Sequence, residues 1–98
     1  MTLDDFRRSL QHTMPGHLSP LLRALWLDAR NDWDGAHRLA QAVDTSDGSW
    51  VHAYLHRREG DQGNARYWYR RAGRPEATDA LSSEWERLVQ HLLALSDE

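Results

Sequence analysis

Apolar side chains recur at intervals of three and four residues in six stretches of the chain, with polar side chains between them. That spacing places the apolar positions on one side of an α-helix. The predicted helices span residues 3–11, 20–30, 33–43, 49–59, 62–72 and 83–95. No stretch alternates with a period of two for long enough to indicate a strand. The pattern therefore predicts an all-α chain.

Capping side chains mark where several of these helices begin. Ser19 precedes a proline, a favoured pair at a helix start because the hydroxyl accepts a hydrogen bond from a free backbone N–H. Ser83 and Glu86 have the spacing of a capping box, so the last helix is expected to begin just after Ser83. Residues 44–48 are rich in turn-forming side chains and are predicted to form a loop.

An internal repeat relates the four middle helices. Sliding the chain over itself by 29 residues superimposes three identical pairs: Ala24 on Ala53, Asp32 on Asp61, and Ala36 on Ala65. Small side chains let two antiparallel helices approach closely, and Asn31 and Gly60 at the equivalent turns can adopt a positive φ. Each half of the repeat therefore predicts a helical hairpin.

The second hairpin resembles a known family of helical repeats. The residues that carry the resemblance are, in order, Gly60, Asp61, Ala65, Trp68, Tyr69, Arg70 and Ala72. Together they resemble the second helix of a tetratricopeptide-type repeat, especially of the Sel-like subgroup. The resemblance implies an α-solenoid that binds proteins or peptides on the surface lined by the first helices of its hairpins. It does not imply catalysis.

The length of 98 residues is typical of one domain. Together with the repeat, it predicts a single all-helical domain over residues 1–98, built as a short α-solenoid with a capping helix at each end. Residues 19–75 are expected to form two antiparallel hairpins. Residues 1–18 are expected to form an N-terminal capping helix and linker, and residues 76–98 a C-terminal capping helix.

Composition narrows the range of functions. The chain has no cysteine, and no apolar run is long enough for a signal peptide or a membrane span, so the expected location is the cytoplasm. All 12 basic residues are arginine, which is typical of the codon usage of a GC-rich bacterial genome. The net charge of −3 argues against nucleic acid as the partner, because phosphate binding draws on a sustained basic surface.

One face of the fourth predicted helix has the composition of a recognition surface. Trp50, Tyr54 and Arg57 stand at positions i, i+4 and i+7, and Arg58 follows them. Tryptophan, tyrosine and arginine are the residues that most often anchor protein interfaces. The family resemblance places this face in the concave groove, so these four residues are the predicted binding site. The alternative is that Trp50 and Tyr54 fill the core beneath the first helix.

A second candidate cluster lies on the same hairpin. His52 and His56 stand four residues apart, as do Arg66 and Arg70, and guanidinium groups bind carboxylate and phosphate bidentately. The alternative function is therefore a binder of a small anionic ligand, or an enzyme of unfamiliar type. No metal is expected, because a metal site needs further ligands and the other histidines are scattered along the sequence. Partly buried, hydrogen-bonded histidines are the expected state.

Signatures of enzymes are missing from the sequence. It contains no glycine-rich phosphate loop, no nucleophile motif and no thiol, so no catalytic residue and no cofactor are predicted. The leading hypothesis is a non-enzymatic interaction module that binds a protein or peptide, with an acidic partner among the candidates. Homo-oligomerisation through an exposed end of the solenoid is a further hypothesis.

Overall fold

The computed structural model describes residues 1–96, so Asp97 and Glu98 of the predicted C-terminal segment lie outside it. The described chain folds into six helices: α1 (Leu3–Ser9), α2 (Pro20–Ala29), α3 (Trp33–Gln41), α4 (Ser46–Arg58), α5 (Gln62–Ala72) and α6 (Leu81–Ser96). Residues 1–96 contain no strand, which confirms the all-α prediction. None of the described helices is both long and apolar enough to cross a bilayer.

Neighbouring helices in the sequence pack against each other. Helix α2 packs on α3, α3 on α4, and α4 on α5, while α6 returns to contact α1, α2 and α4. Among the described helices, α5 packs closely only against α4. The four alanines of the internal repeat are fully buried: Ala24, Ala36, Ala53 and Ala65. Their small side chains sit where the paired helices meet the core.

The turns of the two repeated halves adopt the predicted left-handed conformation. Asn31, between α2 and α3, has a φ of 65°, and Gly60, between α4 and α5, has a φ of 89°. The aspartate that follows each turn caps the next helix: the side chain of Asp32 accepts from Gly35 N, and that of Asp61 from Asn64 N. These short-range features of the repeat are confirmed.

Two predicted helix starts are wrong. Helix α4 begins at Ser46, within the predicted loop, because the Thr45 hydroxyl caps it by accepting from Gly48 N at 3.0 Å. Helix α6 begins at Leu81, before the predicted capping box. The Ala80 carbonyl accepts from Ser83 N and Glu84 N, which places Ser83 inside the first turn.

The last helix covers the sides of α2 and α4 that face it. Its Trp85 indole donates to the Leu25 carbonyl at 3.1 Å, and Leu88 and Val89 are fully buried. Phe6 of α1 packs against the Trp85 ring at a centroid distance of 5.7 Å. Helix α6 therefore joins α1 to α2 and α4 and completes the core.

Candidate functional site

The predicted recognition residues of α4 lie mostly inside the protein. Trp50 and Tyr54 are each 3% exposed: Trp50 packs against His91 of α6, and Tyr54 is hydrogen-bonded to Asp28 of α2. Arg57 reaches the start of α6, where its Nη1 donates to Glu84 Oε1 at 2.8 Å. Trp50 and Arg57 thus contribute to holding α6 in place.

Glu84 is the centre of this buried contact. Its carboxylate is fully buried and accepts hydrogen bonds from the Trp50 indole at 3.1 Å and from the Tyr69 hydroxyl at 2.6 Å. With Arg57, the residue has donors from both α4 and α5. Burial, reinforced by the hydrogen bond to Glu84, raises the pKa of Tyr69, so this hydroxyl remains a proton donor.

The other two predicted recognition residues border an open cleft. A cavity of about 380 Å³ lies between α1, α2, α4 and α6, and Tyr54, Arg58 and Trp85 contribute to its walls. Tyr54 donates to Asp28 Oδ2 at 3.1 Å, and Arg58 Nη1 lies 2.7 Å from Asp28 Oδ1. Burial raises the pKa of Asp28, and Arg58 opposes this rise. Asp28, Tyr54 and Arg58 therefore contact one another at the wall of the cleft.

The two histidines of α4 belong to a cluster of three. We use the term histidine cluster for His37 of α3 with His52 and His56 of α4. His37 Nε2 lies 2.8 Å from His52 Nε2, and one ring nitrogen from each of the three lies within 4.8 Å of the others. His52 and His56 are buried, and His37 is partly exposed. The histidine cluster lies at the contact between α3 and α4.

Aromatic rings and a carboxylate surround the histidine cluster. The Trp68 ring stacks on His52 at a centroid distance of 3.8 Å, and Trp33 stacks on His37 at 4.8 Å. Glu59 Oε1 lies 2.7 Å from His56 Nδ1. Burial, with the positive charge that His37 and His56 acquire on protonation, lowers the pKa of His52 to about 4. Burial also lowers the pKa of His37.

Arg66 and Arg70 lie away from the histidines with which the sequence grouped them. Both are exposed on α5, and neither makes a hydrogen bond to the histidine cluster within residues 1–96. The arginine whose charge acts on His52 is Arg71. The structure therefore separates the predicted anion cluster into an interior histidine group and a surface arginine group.

The arginines share a surface with tyrosine. We use the term outer face of α5 for the exposed residues Arg66, Tyr67, Arg70 and Arg71, which lie opposite the buried Ala65 and Tyr69. Arg71 donates to the Tyr67 hydroxyl at 3.2 Å and lies over the Trp68 ring at 5.1 Å. Arg66 lies 3.4 Å from Glu76, and Arg70 has no ion pair with any residue from 1 to 96.

His37 and Glu59 were not predicted to lie beside His52 and His56. Glu59 had a local signal, since it follows His56 by three residues at the end of the same helix. The sequence signal for His37 was only indirect: this residue follows Ala36, the small residue of the repeat that faces the core. Its approach to His52 depends on how α3 packs against α4.

Comparison of the chain with protein-family models, with curated proteins and with solved structures yields no match.

Proposed function

We propose that this protein is a non-enzymatic interaction module of tetratricopeptide-like type that binds an acidic segment of a protein or peptide along the outer face of α5. The tetratricopeptide-like arrangement, a short α-solenoid of two hairpins, is part of the proposal. It is supported by the complete burial of the four repeat alanines and by the matching positive φ values of Asn31 and Gly60.

One observation carries the proposed binding surface. The outer face of α5 presents three arginines and Tyr67, which is 44% exposed, on a helix that packs closely only against α4 among the described helices. Guanidinium groups bind carboxylates bidentately, and tyrosine and arginine are enriched among the residues that dominate binding energy. Arg70, without an ion pair in residues 1–96, is the arginine most available to a new carboxylate.

The proposed surface differs from the groove expected from the family resemblance. In this chain Trp50 and Tyr54 are buried, Trp50 against α6 and Tyr54 against Asp28 of α2, whereas a partner reaches the outer face of α5 without displacing a helix. The arginine side chains of this face also keep their stems on the protein and their charges in solvent, which suits a partner that arrives from solution.

Fluorescence anisotropy with a labelled glutamate-rich peptide tests the proposal. Binding is expected at low ionic strength and should weaken at physiological ionic strength, because salt screens exposed charges. The charge reversals Arg66→Glu and Arg70→Glu are each expected to weaken binding by about fivefold or more, the loss that separates contributing from neutral interface positions. Light scattering on the same samples shows whether the protein self-associates instead.

The matched control is Arg38→Glu, which makes the same charge change at an exposed position on α3. It is expected to alter binding by less than about twofold, the effect of long-range charge alone at moderate salt. Equal losses from Arg38→Glu and Arg70→Glu would show attraction by net charge without a defined surface. No binding of the glutamate-rich peptide would reject an acidic partner.

A small anionic ligand is the second candidate. A cavity of about 340 Å³ lies beside the outer face of α5, with Trp68, Arg71 and His52 among its lining residues. Arg71, beside Trp68 and 3.7 Å from the exposed Asp44, suits a carboxylate or phosphate group that replaces Asp44 as its partner. Thermal-shift measurements with citrate and inorganic phosphate test this candidate. A higher melting temperature that Arg71→Gln abolishes would support it.

A further inference from the structure

Three imidazoles from two helices meet at the histidine cluster. His52 and His56 come from consecutive turns of α4, and His37 comes across from α3. One ring nitrogen from each lies within 4.8 Å of the others. Three converging imidazoles are a recurrent ligand set for zinc and its neighbours in the transition series. We propose that His37, His52 and His56 form a binding site for a divalent transition-metal ion of the Zn²⁺, Ni²⁺ and Cu²⁺ group.

The spacing of the ring nitrogens is close to that of a loaded site. Two nitrogens bound to one tetrahedral metal ion at about 2.0 Å lie roughly 3.3 Å apart. The observed distance of 2.8 Å between His37 Nε2 and His52 Nε2 is that of an N–H···N hydrogen bond. Opening this pair by about half an ångström makes room for metal bonds of that length. The nitrogen of His56, which lies within 4.8 Å of the other two, must come to a similar distance, and rotation of its side chain is the movement that brings it there.

Glu59 occupies the position of an outer carboxylate. Histidines that bind metals usually donate their second ring N–H to a carboxylate or carbonyl, which fixes the tautomer and the ring orientation. His56 Nδ1 donates to Glu59 Oε1 at 2.7 Å, which leaves the Nε2 lone pair of His56 free to bind a metal. The rings of His37 and His52 are held by stacking on Trp33 and Trp68.

The pair of His37 and His52 neither gains nor loses a proton when the metal ion binds. In the N–H···N bond between His37 and His52, one Nε2 carries the hydrogen and the other accepts it. When both Nε2 atoms bind the metal, the ring that carried the hydrogen on Nε2 must carry it on Nδ1 instead. This is a change of tautomer without a change of charge.

Three histidines leave one position of a tetrahedral ion for a water or an outside ligand. A cavity of about 340 Å³ borders His52, and His37 is partly exposed to solvent. Hard cations such as Mg²⁺ and Ca²⁺ prefer oxygen ligands, so they are not expected to occupy the site.

Calorimetric titration of the EDTA-treated protein with Zn²⁺ tests the site. The expected result is one ion per chain, with no competition from a large excess of Mg²⁺. Loading with Co²⁺ gives a second readout, since tetrahedral Co²⁺ has intense visible absorption. His37→Gln and His52→Gln are each expected to weaken Zn²⁺ binding by more than 100-fold, and Glu59→Gln by about 10- to 100-fold, the range for outer-shell partners.

His91→Gln is the matched control, because His91 is also half-buried and bound to a carboxylate, Asp47 at 2.9 Å, on the other side of α4. It should leave Zn²⁺ affinity unchanged. Circular dichroism verifies that each variant folds, and His37, which is partly exposed, is the ligand whose replacement disturbs the core least. Absence of one-to-one binding by the folded wild-type protein, or equal affinity in His37→Gln, would overturn the proposal.

Discussion

The carboxylate of Glu84 accepts a hydrogen bond from the Tyr69 hydroxyl at 2.6 Å, in a part of the protein from which water is excluded. The two residues belong to α6 and α5, helices that do not pack closely against each other. With Trp50 and Arg57 of α4 also donating to it, Glu84 connects three helices. The buried carboxylate is tolerated here because its oxygens accept hydrogen bonds from Trp50, Arg57 and Tyr69.

Replacing Glu84 by alanine is expected to destabilise the fold strongly. The change leaves the Tyr69 hydroxyl and the Trp50 indole without their acceptor, and removes the ion pair of Arg57. Loss of one partner from a buried pair costs about 3–5 kcal/mol. Because Asp79 lies 4.0 Å from Arg57 and remains as its partner, the lower end of that range is expected. Urea denaturation at pH 7 measures the change.

The control for this prediction is Glu86→Ala, two residues further along α6. Glu86 pairs with Arg7 at the surface, where both side chains are at least 40% exposed. Exposed ion pairs contribute about 0–1 kcal/mol to the free energy of unfolding. Equal losses from Glu84→Ala and Glu86→Ala would contradict the role assigned to the buried carboxylate.

Gly60→Ala is expected to lower the free energy of unfolding by about 1–2 kcal/mol, the usual penalty for a side chain in the left-handed region. The reason is conformational, since φ is 89° and a Cβ at this position meets no atom within 4 Å. Gly60→Asn should lose less, because asparagine tolerates this conformation, as Asn31 does at the equivalent turn. Thermal denaturation of the three proteins compares them directly. A smaller loss of stability for Gly60→Ala than for Gly60→Asn would be inconsistent with a left-handed backbone at this turn.

Gly63→Ala is expected to change stability in the opposite direction. Gly63 lies in the first turn of α5, and the only contact for an added Cβ is Asp61 Oδ1 at 3.9 Å. Alanine in a compatible backbone conformation typically adds about 0.4–1 kcal/mol by restricting the unfolded chain. The same denaturation experiment measures the gain. A loss of stability would mean that the backbone at this position is not helical.

Gly48→Ala is expected to destabilise α4 through a steric conflict. A Cβ at Gly48 would lie 2.0 Å from the Val43 carbonyl oxygen, so the backbone must move apart. Overpacking of this kind costs about 1–3 kcal/mol. Gly16→Ala, where an added Cβ meets nothing within 4 Å, provides a control that should be close to neutral. Guanidinium denaturation compares the stability of the two variants. No loss of stability in Gly48→Ala would show that the backbone of residues 43–48 can move to accommodate the added Cβ.

The metal-free protein is expected to lose stability as the pH falls from about 6.5 to about 4. In that interval His52 takes up a proton in the unfolded chain, where its pKa is near 6.5, and stays neutral in the folded one, where its pKa is about 4. The unfolded state therefore binds more protons, and stability rises with pH. The slope from this residue approaches about 1.4 kcal/mol per pH unit. Burial lowers the pKa of His37, which adds in the same direction.

Denaturation of EDTA-treated protein at a series of pH values measures this slope. His52→Phe keeps an aromatic ring against Trp68 and should reduce the slope between pH 6.5 and 4 by about 1 kcal/mol per pH unit. Asp28 acts in the opposite direction, since burial raises its pKa and favours protonation in the folded state. Asp61 and Asp79 have lowered pKa values and contribute only below about 3.8. An unchanged slope in His52→Phe would contradict the prediction.

The helices, their caps and their turns were predictable from the sequence because they depend on neighbouring residues. The spacing of the alanines, the aspartates after Asn31 and Gly60, and the positive φ at both turns are local properties. Errors arose where two local signals competed. Residues 44–48 contain turn-forming side chains, yet Thr45 is also a good helix cap. Because Thr45 caps it, α4 begins at Ser46, three residues before the predicted start.

Only the tertiary structure decided which helix faces meet. The apolar stripe of α6 showed that this helix must be buried but did not say on which helices. Its contact with Trp50, and the contact of Tyr54 with α2, turned two predicted recognition residues into core. The meeting of His37 with His52 likewise depends on how α3 packs against α4. Periodicity specifies which side of a helix is apolar, whereas the partner of that side is selected by the burial summed over contacts between distant parts of the chain.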